Sequence, residues 1–327
     1  MRVGVVGATG LVGERIIRVL EEKNFPTEEI RLFSSIKSEG KRIVFKDREY
    51  EVEPLQENSF KGLDITFFAT DPEISREFVP KARRESIVID NSSAFRMDKE
   101  VPLVVPGVNS EVIKSHKNLI ANPNCSTIQL VMVLAPLNRR VKIKRVWVCS
   151  YQSVSGMGRE ALEEFKYQLE VLAMGEEIRK EDVNIFPYPI GGNVIPQIGS
   201  FDKKGYSTEE NKIINETRKI MGIPELKISA TCVRVPVFFG HSEAVNVEFE
   251  RRVSREEVMD ILSSIPKIIL YKGKEYPMPI DVVDRDEVFV GRVREEDGAI
   301  GLWIVADNLR RGAATNAVEI AEEIIKK

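Results

Sequence analysis

A thiol, an imidazole and a guanidinium, far apart along the chain, are the residues best suited to chemistry. Cys125 lies in Asn122-Pro123-Asn124-Cys125-Ser126-Thr127, between a turn and the apolar run from Ile128 to Leu137. Asn and Pro close the preceding extended segment, and Ser and Thr suit a helix start. There, free backbone N–H groups and the helix dipole stabilise a thiolate, lowering a thiol pKa from about 8.5 by one unit or several. The alternative is an inert cysteine of the core. His241 stands in Gly240-His241-Ser242-Glu243, after the strand pattern Cys232–Val237 and before another. A turn there lets the ring project into a cleft as a general base near neutral pH, and a surface histidine is the plain alternative. Cys–His pairing is a recurrent way to activate a thiol, but only the fold decides whether the two meet. Arg234 sits inside a β-patterned strand, where an unpaired cation is costly to bury, so it faces an anion: a protein carboxylate or a substrate carboxylate.

The elements that must position these groups begin at once. Arg2 to Gly7 is Val-rich like a buried parallel strand, and Gly7-Ala8-Thr9-Gly10-Leu11-Val12-Gly13 leads into a helical pattern from Glu14 to Lys23. The spacing is G-x-x-G-x-x-G, and such glycines let backbone N–H groups approach a pyrophosphate at the helix N-terminus. A tight βα turn without ligand is the alternative. A second strand, Ile30–Phe33, ends not in Asp or Glu but in Ser34-Ser35-Ile36-Lys37-Ser38, with Lys41-Arg42 following. Hydroxyls and cations suit a 2′-phosphate, so NADP is expected over NAD. Strands at Asp64–Thr70 and Ile87–Ser92, with a helix opening near Pro72, continue the alternation and predict a doubly wound parallel sheet, with Arg96 just beyond its carboxyl edge.

From Arg145 the pattern changes. Strands are expected at 145–154, 228–237, 244–250, 288–293 and 300–306, forming a mixed or antiparallel sheet, with helices at 159–174, 208–221 and 255–263 over one face. Gly312 to Lys327 reads as a helix that returns to the first domain. The fold class expected is therefore α/β: a Rossmann-type doubly wound sheet over 1–123, completed by 308–327, and an α+β catalytic and dimerisation domain with a mixed sheet over 124–307. Broad sheets of this kind often form dimer interfaces, so a homodimer or a dimer of dimers is expected.

With 327 residues, two domains are the expectation, and 43% hydrophobic with 30% charged residues describes an ordinary soluble globule. A net charge of −3 gives no basic footprint for nucleic acid. No signal-peptide layout or membrane-length apolar run is present, which predicts a cytoplasmic protein without a membrane partner. Cys125, Cys149 and Cys232 are too few and too dispersed for disulfides or a Cys-x-x-Cys site, and with only His116 and His241 no metal centre is expected. His116, among lysines, fits a surface role.

Five motifs in register, Gly7–Gly13, Asn122–Thr127, Tyr151-Gln152-Ser153-Val154-Ser155-Gly156, Arg234-Val235-Pro236 and Gly240-His241-Ser242, resemble the aspartate-semialdehyde dehydrogenases over nearly the whole chain. The resemblance implies NADP-dependent interconversion of L-aspartyl 4-phosphate and L-aspartate 4-semialdehyde plus phosphate, on the route to lysine, threonine and methionine (the diaminopimelate branch included). It implies Cys125 as the nucleophile forming an acyl-thioester, His241 as acid/base and Gln152 as the group orienting substrate. It further implies Arg234 for the substrate carboxylate, Glu209 for its ammonium, and Arg96 and Lys212 for phosphate. Cofactor contacts map to Gly7, Thr9, Gly10, Leu11, Val12, Lys37, Ser38, Ser155, Gly156 and Asn308. Glu39, in Lys37-Ser38-Glu39-Gly40, departs from the commoner Arg-Ser-Ala-Gly by adding a negative charge beside the 2′-phosphate position. N-acetyl-γ-glutamyl-phosphate reductase shares the Cys–His logic but usually sets its cysteine in Pro-Gly-Cys-Tyr, unlike Pro123-Asn124-Cys125-Ser126. A noncatalytic cofactor-binding paralogue is the remaining alternative.

Overall fold

The computed structural model of the chain describes residues 1–326 and divides into two compact units. The first comprises residues 1–128, 219–221 and the C-terminal segment from Gly312; the second comprises 129–218 and 222–311. In chain order the elements are β1 Arg2–Val6, α1 Leu11–Glu22, β2 Glu29–Ser34, β3 Arg42–Phe45, β4 Arg48–Pro54, β5 Ile65–Phe68, α2 Pro72–Ala82, β6 Ile87–Asp90, β7 Leu119–Ala121 and α3 Cys125–Arg140. They continue with β8 Ile143–Gln152, α4 Arg159–Ala173, α5 Thr208–Met221, β9 Lys227–Arg234, β10 His241–Phe249, α6 Arg255–Ser263, β11 Ile268–Leu270, β12 Val288–Glu296, β13 Ala299–Ala306 and α7 Asn316–Ile325.

The first unit is a Rossmann-type sheet in the order β3-β4-β2-β1-β5-β6-β7. β1 runs parallel to both β2 and β5, and the chain reverses its direction of progress across the sheet there, which makes the carboxyl end of β1 the switch point. All four residues of β5 are buried, as a parallel strand covered on both faces requires. Ile16, Ile17 and Leu20 of α1 and Ala317, Val318, Ile320 and Ala321 of α7 share one apolar core with Val3, Val5, Leu32 and Ile65. The tail therefore returns to the first unit as expected, but not as one helix from Gly312. A π-helical turn at Arg310–Thr315 comes first, and the α-helix begins at Asn316, where the Asn316 side chain donates to Val104 O (2.9 Å) and Asn122 Oδ1 (2.7 Å). Lys327 lies outside the described residues.

The β3–β4 hairpin was not anticipated. Its turn residues Lys46 and Asp47 both take positive φ, 49° and 59°, a conformation usually signalled by Asn-Gly or Asp-Gly and here adopted without glycine. Arg42, read above as part of a cationic loop, is instead the first residue of β3 and pairs with Glu49 at 2.8 Å.

The second unit carries a mixed sheet in the order β11-β12-β13-β10-β8-β9, antiparallel at β12–β13, β13–β10 and β10–β8, and parallel at β8–β9 and β11–β12. Alternation along β8 and β9 separates a buried face, including Val146, Val148, Ser150 and Gln152, from a face that exposes Arg145, Trp147, Tyr151, Lys227, Ser229 and Thr231. Helices α5 and α6 have the bounds expected from periodicity, and α4 differs by one residue at its end. Among the described residues no helix is long and apolar enough to cross a membrane.

Candidate active site

In the first unit the glycine loop offers backbone. Gly7 has φ +81°, and a Cβ there would lie 2.2 Å from Ala69 O; a Cβ on Gly13 would lie 2.1 Å from Gly7 O. Both glycines are fixed by close packing of loop, strand and helix. Gly10 differs, because its Cβ would meet only Gly7 O at 3.3 Å. Gly10 is the N-cap of α1 and no side chain caps the helix, so the N–H groups of its first turn, at Leu11 and Val12, are left to an anion. Beside this loop Thr9 Oγ1 lies 2.8 Å from Ser34 Oγ and donates to Ser38 Oγ at 3.3 Å, a hydroxyl cluster at the end of β2. Lys37 belongs to the short turn Ile36–Ser38 and is exposed. An uncapped helix start behind a glycine turn, with hydroxyls at the next strand end, fits a dinucleotide.

Cys125 is the first residue of α3 and is partly exposed. Asn124 caps that helix, its Oδ1 accepting from Ser126 N (3.0 Å) and Thr127 N (3.2 Å). This corrects one expectation. Those two N–H groups serve the cap, so Cys125 has the helix start and its dipole, but not the backbone donors of Ser126 and Thr127, beside it. Arg96, also in the first unit, is buried and donates from Nη2 to Asn91 O at 2.7 Å. Its own carbonyl accepts from Lys219 Nζ at 2.7 Å, and the same ammonium binds Asp98 O and Val101 O, fixing the loop that carries the guanidinium.

In the second unit side chains make the site. Arg234 pairs across the sheet with Gln152, and Tyr151 opposite Ser242 carries Gln152 alongside His241 one residue further on. Three neighbouring strands thus line up a guanidinium, an amide and an imidazole, 3%, 2% and 0% exposed. Ser153, just past the end of β8, clamps both ends of that row. Its N–H donates to His241 Nδ1 at 3.1 Å, its Oγ lies 3.0 Å from the same nitrogen, and its carbonyl accepts from Arg234 Nη1 at 2.6 Å. Gly156 faces the row, and a Cβ there would lie 3.1 Å from Arg234 Nη1 and 3.4 Å from His241 Cε1 and Nε2. Burial, with Arg234 adding to it, pushes the His241 pKa down to about 3; Glu209 and the Gly240 carbonyl pull weakly the other way.

Glu209, at the start of α5, is buried, ion-paired to Lys212 (3.1 Å) and accepts from Gln152 Nε2 at 3.4 Å. The amide of Gln152 also reaches Ser150 Oγ at 3.2 Å. Asn308, expected among the cofactor contacts, is buried and holds the turn of the histidine: its Oδ1 accepts from Gly240 N (2.9 Å), Ser153 Oγ (3.2 Å) and Ser155 Oγ (3.2 Å), and its Nδ2 donates to Ser155 Oγ (3.0 Å).

Ser153, Lys219 and Glu243 escaped the sequence reading. Glu243 lies two residues beyond His241 and so on the same face of β10, opposite Ser150 and Ile304. It is fully buried, and burial holds its pKa well above the usual carboxylate range, against the pull of the nearby Gln129 amide. Period-two reading from His241 finds Glu243; no local signal finds Lys219.

A nucleotide-type sheet followed by a mixed-sheet unit with a buried Arg–Gln–His row defines a two-domain oxidoreductase of the semialdehyde dehydrogenase class, and domain matches agree. Residues 2–116 match the semialdehyde dehydrogenase NAD binding domain, and residues 134–311 match the semialdehyde dehydrogenase dimerisation domain. The aspartate-semialdehyde dehydrogenase of Aquifex aeolicus is 50% identical over 336 residues, covering 100% of this chain and 98% of its own. The crystal structure of aspartate semialdehyde dehydrogenase II complexed with ASA from Vibrio cholerae superposes with a TM-score of 0.97 at 43% identity, covering 100% of this chain and 98% of its own. The Candida albicans enzyme with NADP reaches a TM-score of 0.76 at 26% identity, over 99% and 98% of the two chains. The chain belongs to the aspartate-semialdehyde dehydrogenase family.

Proposed function

We propose that the protein catalyses the NADP-dependent, phosphate-requiring interconversion of L-aspartate 4-semialdehyde and L-aspartyl 4-phosphate, through an acyl-thioester on Cys125. The observation that carries this reading is the buried row of Arg234, Gln152 and His241, set by strand register and clamped by Ser153. Arg234 offers a planar fork to the substrate α-carboxylate, and Glu209 offers a carboxylate to its ammonium. Arg96 and Lys212 supply cationic contacts for phosphate. Gln152, tied to Ser150 and Glu209, orients the substrate.

In the reductive direction the Cys125 thiolate attacks the acyl carbon, the C–O bond to phosphate breaks, and phosphate leaves with the electron pair. The nicotinamide cofactor, when bound, supplies the hydride in this direction and accepts it in the other. At the close of the cycle the C–S bond breaks, the aldehyde leaves and the sulfur regains its charge. His241 is the acid/base that handles the thiol proton and that of the tetrahedral species. Gly7, Thr9, Gly10, Leu11 and Val12 hold the dinucleotide, with Ser155, Gly156 and Asn308 on the catalytic side. Lys37 and Ser38, beside the Thr9–Ser34 hydroxyls, favour a 2′-phosphate over a bare ribose. The sheet face exposing Trp147 and Tyr151 supports a homodimer, or a dimer of dimers. A biosynthetic enzyme of this kind, supplying lysine, threonine and methionine, works in the cytoplasm.

The test is reduction of NADP by purified protein with aspartate 4-semialdehyde, with and without phosphate, running NAD and N-acetylglutamate 5-semialdehyde in parallel. Phosphate-dependent turnover of the aspartyl aldehyde with NADP is expected. Turnover of the acetylated aldehyde alone, or NADP binding without turnover, overturns the reading.

A further inference from the structure

An α-amino acid carries its ammonium and its carboxylate on one carbon, so the groups that receive them must keep a fixed spacing. Arg234 and Glu209 stand on different elements, β9 and α5, and those elements must be held in register. Resting on the roles given above to these two side chains, we propose that Glu210 is a positioning residue. It ties the start of α5 to the outer edge of β9 and so sets the spacing between the ammonium-binding and the carboxylate-binding group. Every residue involved lies in the second unit.

β9 is the last strand of its sheet, so one row of its backbone groups has no strand to pair with. Cys232 and Arg234, two positions apart, present their N–H groups along that row. Arg234 N donates to Ile195 O at 2.8 Å and Arg234 O accepts from Ile195 N at 2.9 Å, so a segment beginning at Ile195 covers that end. Cys232 N donates instead to a side chain, Glu210 Oε1, at 3.0 Å. The other oxygen of the same carboxyl, Oε2, accepts from Ser207 N at 2.6 Å, and Glu210 N in turn donates to Ser207 Oγ at 3.4 Å. Reciprocal bonds between a serine and a glutamate three residues on form a capping box, and here the box has a third member in a strand.

Glu210 is buried, and both its oxygens are engaged by backbone N–H groups. It follows Glu209 directly, and the residue it holds on β9 lies two positions before Arg234. The covering segment also reaches the first turn of α5: Glu209 N donates to Ile198 O at 3.2 Å and Thr208 N to Ser200 O at 2.9 Å. That route runs through a loop, whereas Glu210 joins helix and strand through one side chain. Glu209 in turn meets Gln152 Nε2 at 3.4 Å, and Gln152 stands opposite Arg234 across the sheet. The two ends of the spacing are anchored differently. The Arg234 guanidinium donates to Ser153 O at 2.6 Å, a contact that does not involve α5, while the Glu209 carboxylate rides on the turn that Glu210 fixes. Loss of the Glu210 tie therefore displaces the ammonium-binding group and leaves the carboxylate-binding group in place.

Steady-state kinetics on L-aspartate 4-semialdehyde test this with Glu210→Gln, Glu210→Asp and Ser207→Ala, each checked for folding by thermal unfolding. Glutamine keeps the length of the side chain but sets an NH2 group against one of the two N–H donors. Aspartate keeps the charge but is one methylene short of spanning both. In each, KM for the aldehyde should rise about tenfold, the factor one lost hydrogen bond to a charged group carries, with kcat and the KM for NADP changed by less than about threefold. Inhibition by 4-oxobutanoate, which has the carboxylate and lacks the ammonium, should change by less than about twofold, because the Arg234 contact is kept. Ser207→Ala loosens the helix start, leaves Glu210 on Cys232, and should keep KM within about twofold of wild type. A wild-type KM in Glu210→Asp would show that charge alone matters. Equal KM increases in Ser207→Ala and Glu210→Gln would reduce Glu210 to a helix cap, and 4-oxobutanoate inhibition weakened as much as KM would mean general loosening. Each of these results overturns the proposal, and if Glu210→Gln does not fold, Glu210→Asp carries the same comparison. A wild type that turns over the aldehyde beside a Glu210→Gln variant of unaltered KM sinks the inference alone; a wild type without turnover refutes the roles of Arg234 and Glu209, and the inference falls with them.

Discussion

The two units offer their functional groups in different materials. Around Gly7–Gly13 the working groups are backbone N–H groups, and the decisive side chains are those that are missing. In the second unit the working groups are side chains from three strands and a helix, and backbone acts as the clamp, with Ser153 N–H on His241 and Ser153 C=O on Arg234. A backbone site is specified by residues a few positions apart, whereas a row across strands exists only once the register is set. The first tolerates no added volume at Gly7 or Gly13; the second tolerates no loss of a polar partner, since each polar group in the row is buried.

The sharpest break in the comparison is at Cys125, a thiol in the unit whose glycine loop works through backbone. Cys125→Ala should lower turnover on the order of 10⁴-fold or more, the scale seen when a nucleophile is removed, and leave cofactor affinity unchanged by fluorescence titration. Retained turnover would take Cys125 out of the chemistry.

A smaller effect separates glycines that look alike in sequence. Gly13→Ala presses a methyl into the Gly7 carbonyl and should destabilise the protein by about 3 kcal/mol or more in urea unfolding, the upper range of single substitutions. Gly10→Ala meets nothing closer than 3.3 Å, so it should change stability by less than about 1 kcal/mol and act instead on cofactor affinity. Equal stability losses at the two positions would mean that packing, not ligand approach, sets Gly10.

The last effect is a matter of pH. Glu243 has its folded pKa raised well above 4.5, so the folded state binds its proton more tightly than the unfolded state does. Its contribution to stability is complete below about pH 4.5 and is lost as pH rises from there through the folded value. Glu243→Gln removes that loss: its stability relative to wild type should climb by up to about 1.4 kcal/mol per pH unit above about pH 4.5 and then level off. His241 has the opposite sign, since its folded pKa lies near 3 rather than 6.5, and stability is lost as pH falls from 6.5 towards 3. A flat difference between Glu243→Gln and wild type across this range would mean that Glu243 is not held protonated.

Much of the fold was legible because its signals are local. The glycine loop, the Val-rich β1 and the amphipathic α5 and α6 announce themselves within a dozen residues. The β3–β4 hairpin did not, because Lys46 and Asp47 adopt left-handed backbone without the usual glycine. The π-helical turn ahead of α7 was missed too: it ends at Asn316, whose side chain bonds Val104 and Asn122 about two hundred positions away, contacts that no short-range pattern announces.

For the site, the sequence by itself determined the chemical inventory: one cysteine at a helix start, one histidine at a strand start, one arginine in a strand, and a glycine loop ready for a phosphate. Tertiary structure alone decided that Arg234, Gln152 and His241 form one row, that Ser153 fixes the ring nitrogen of His241, that Asn124 takes two N–H groups from the cysteine's helix, and that Glu243 is buried beside the histidine. Composition and short-range spacing fix which groups a chain can offer. Register and burial fix which of those groups meet and what each is bonded to, and those arise from contacts between residues that the chain keeps tens of positions apart.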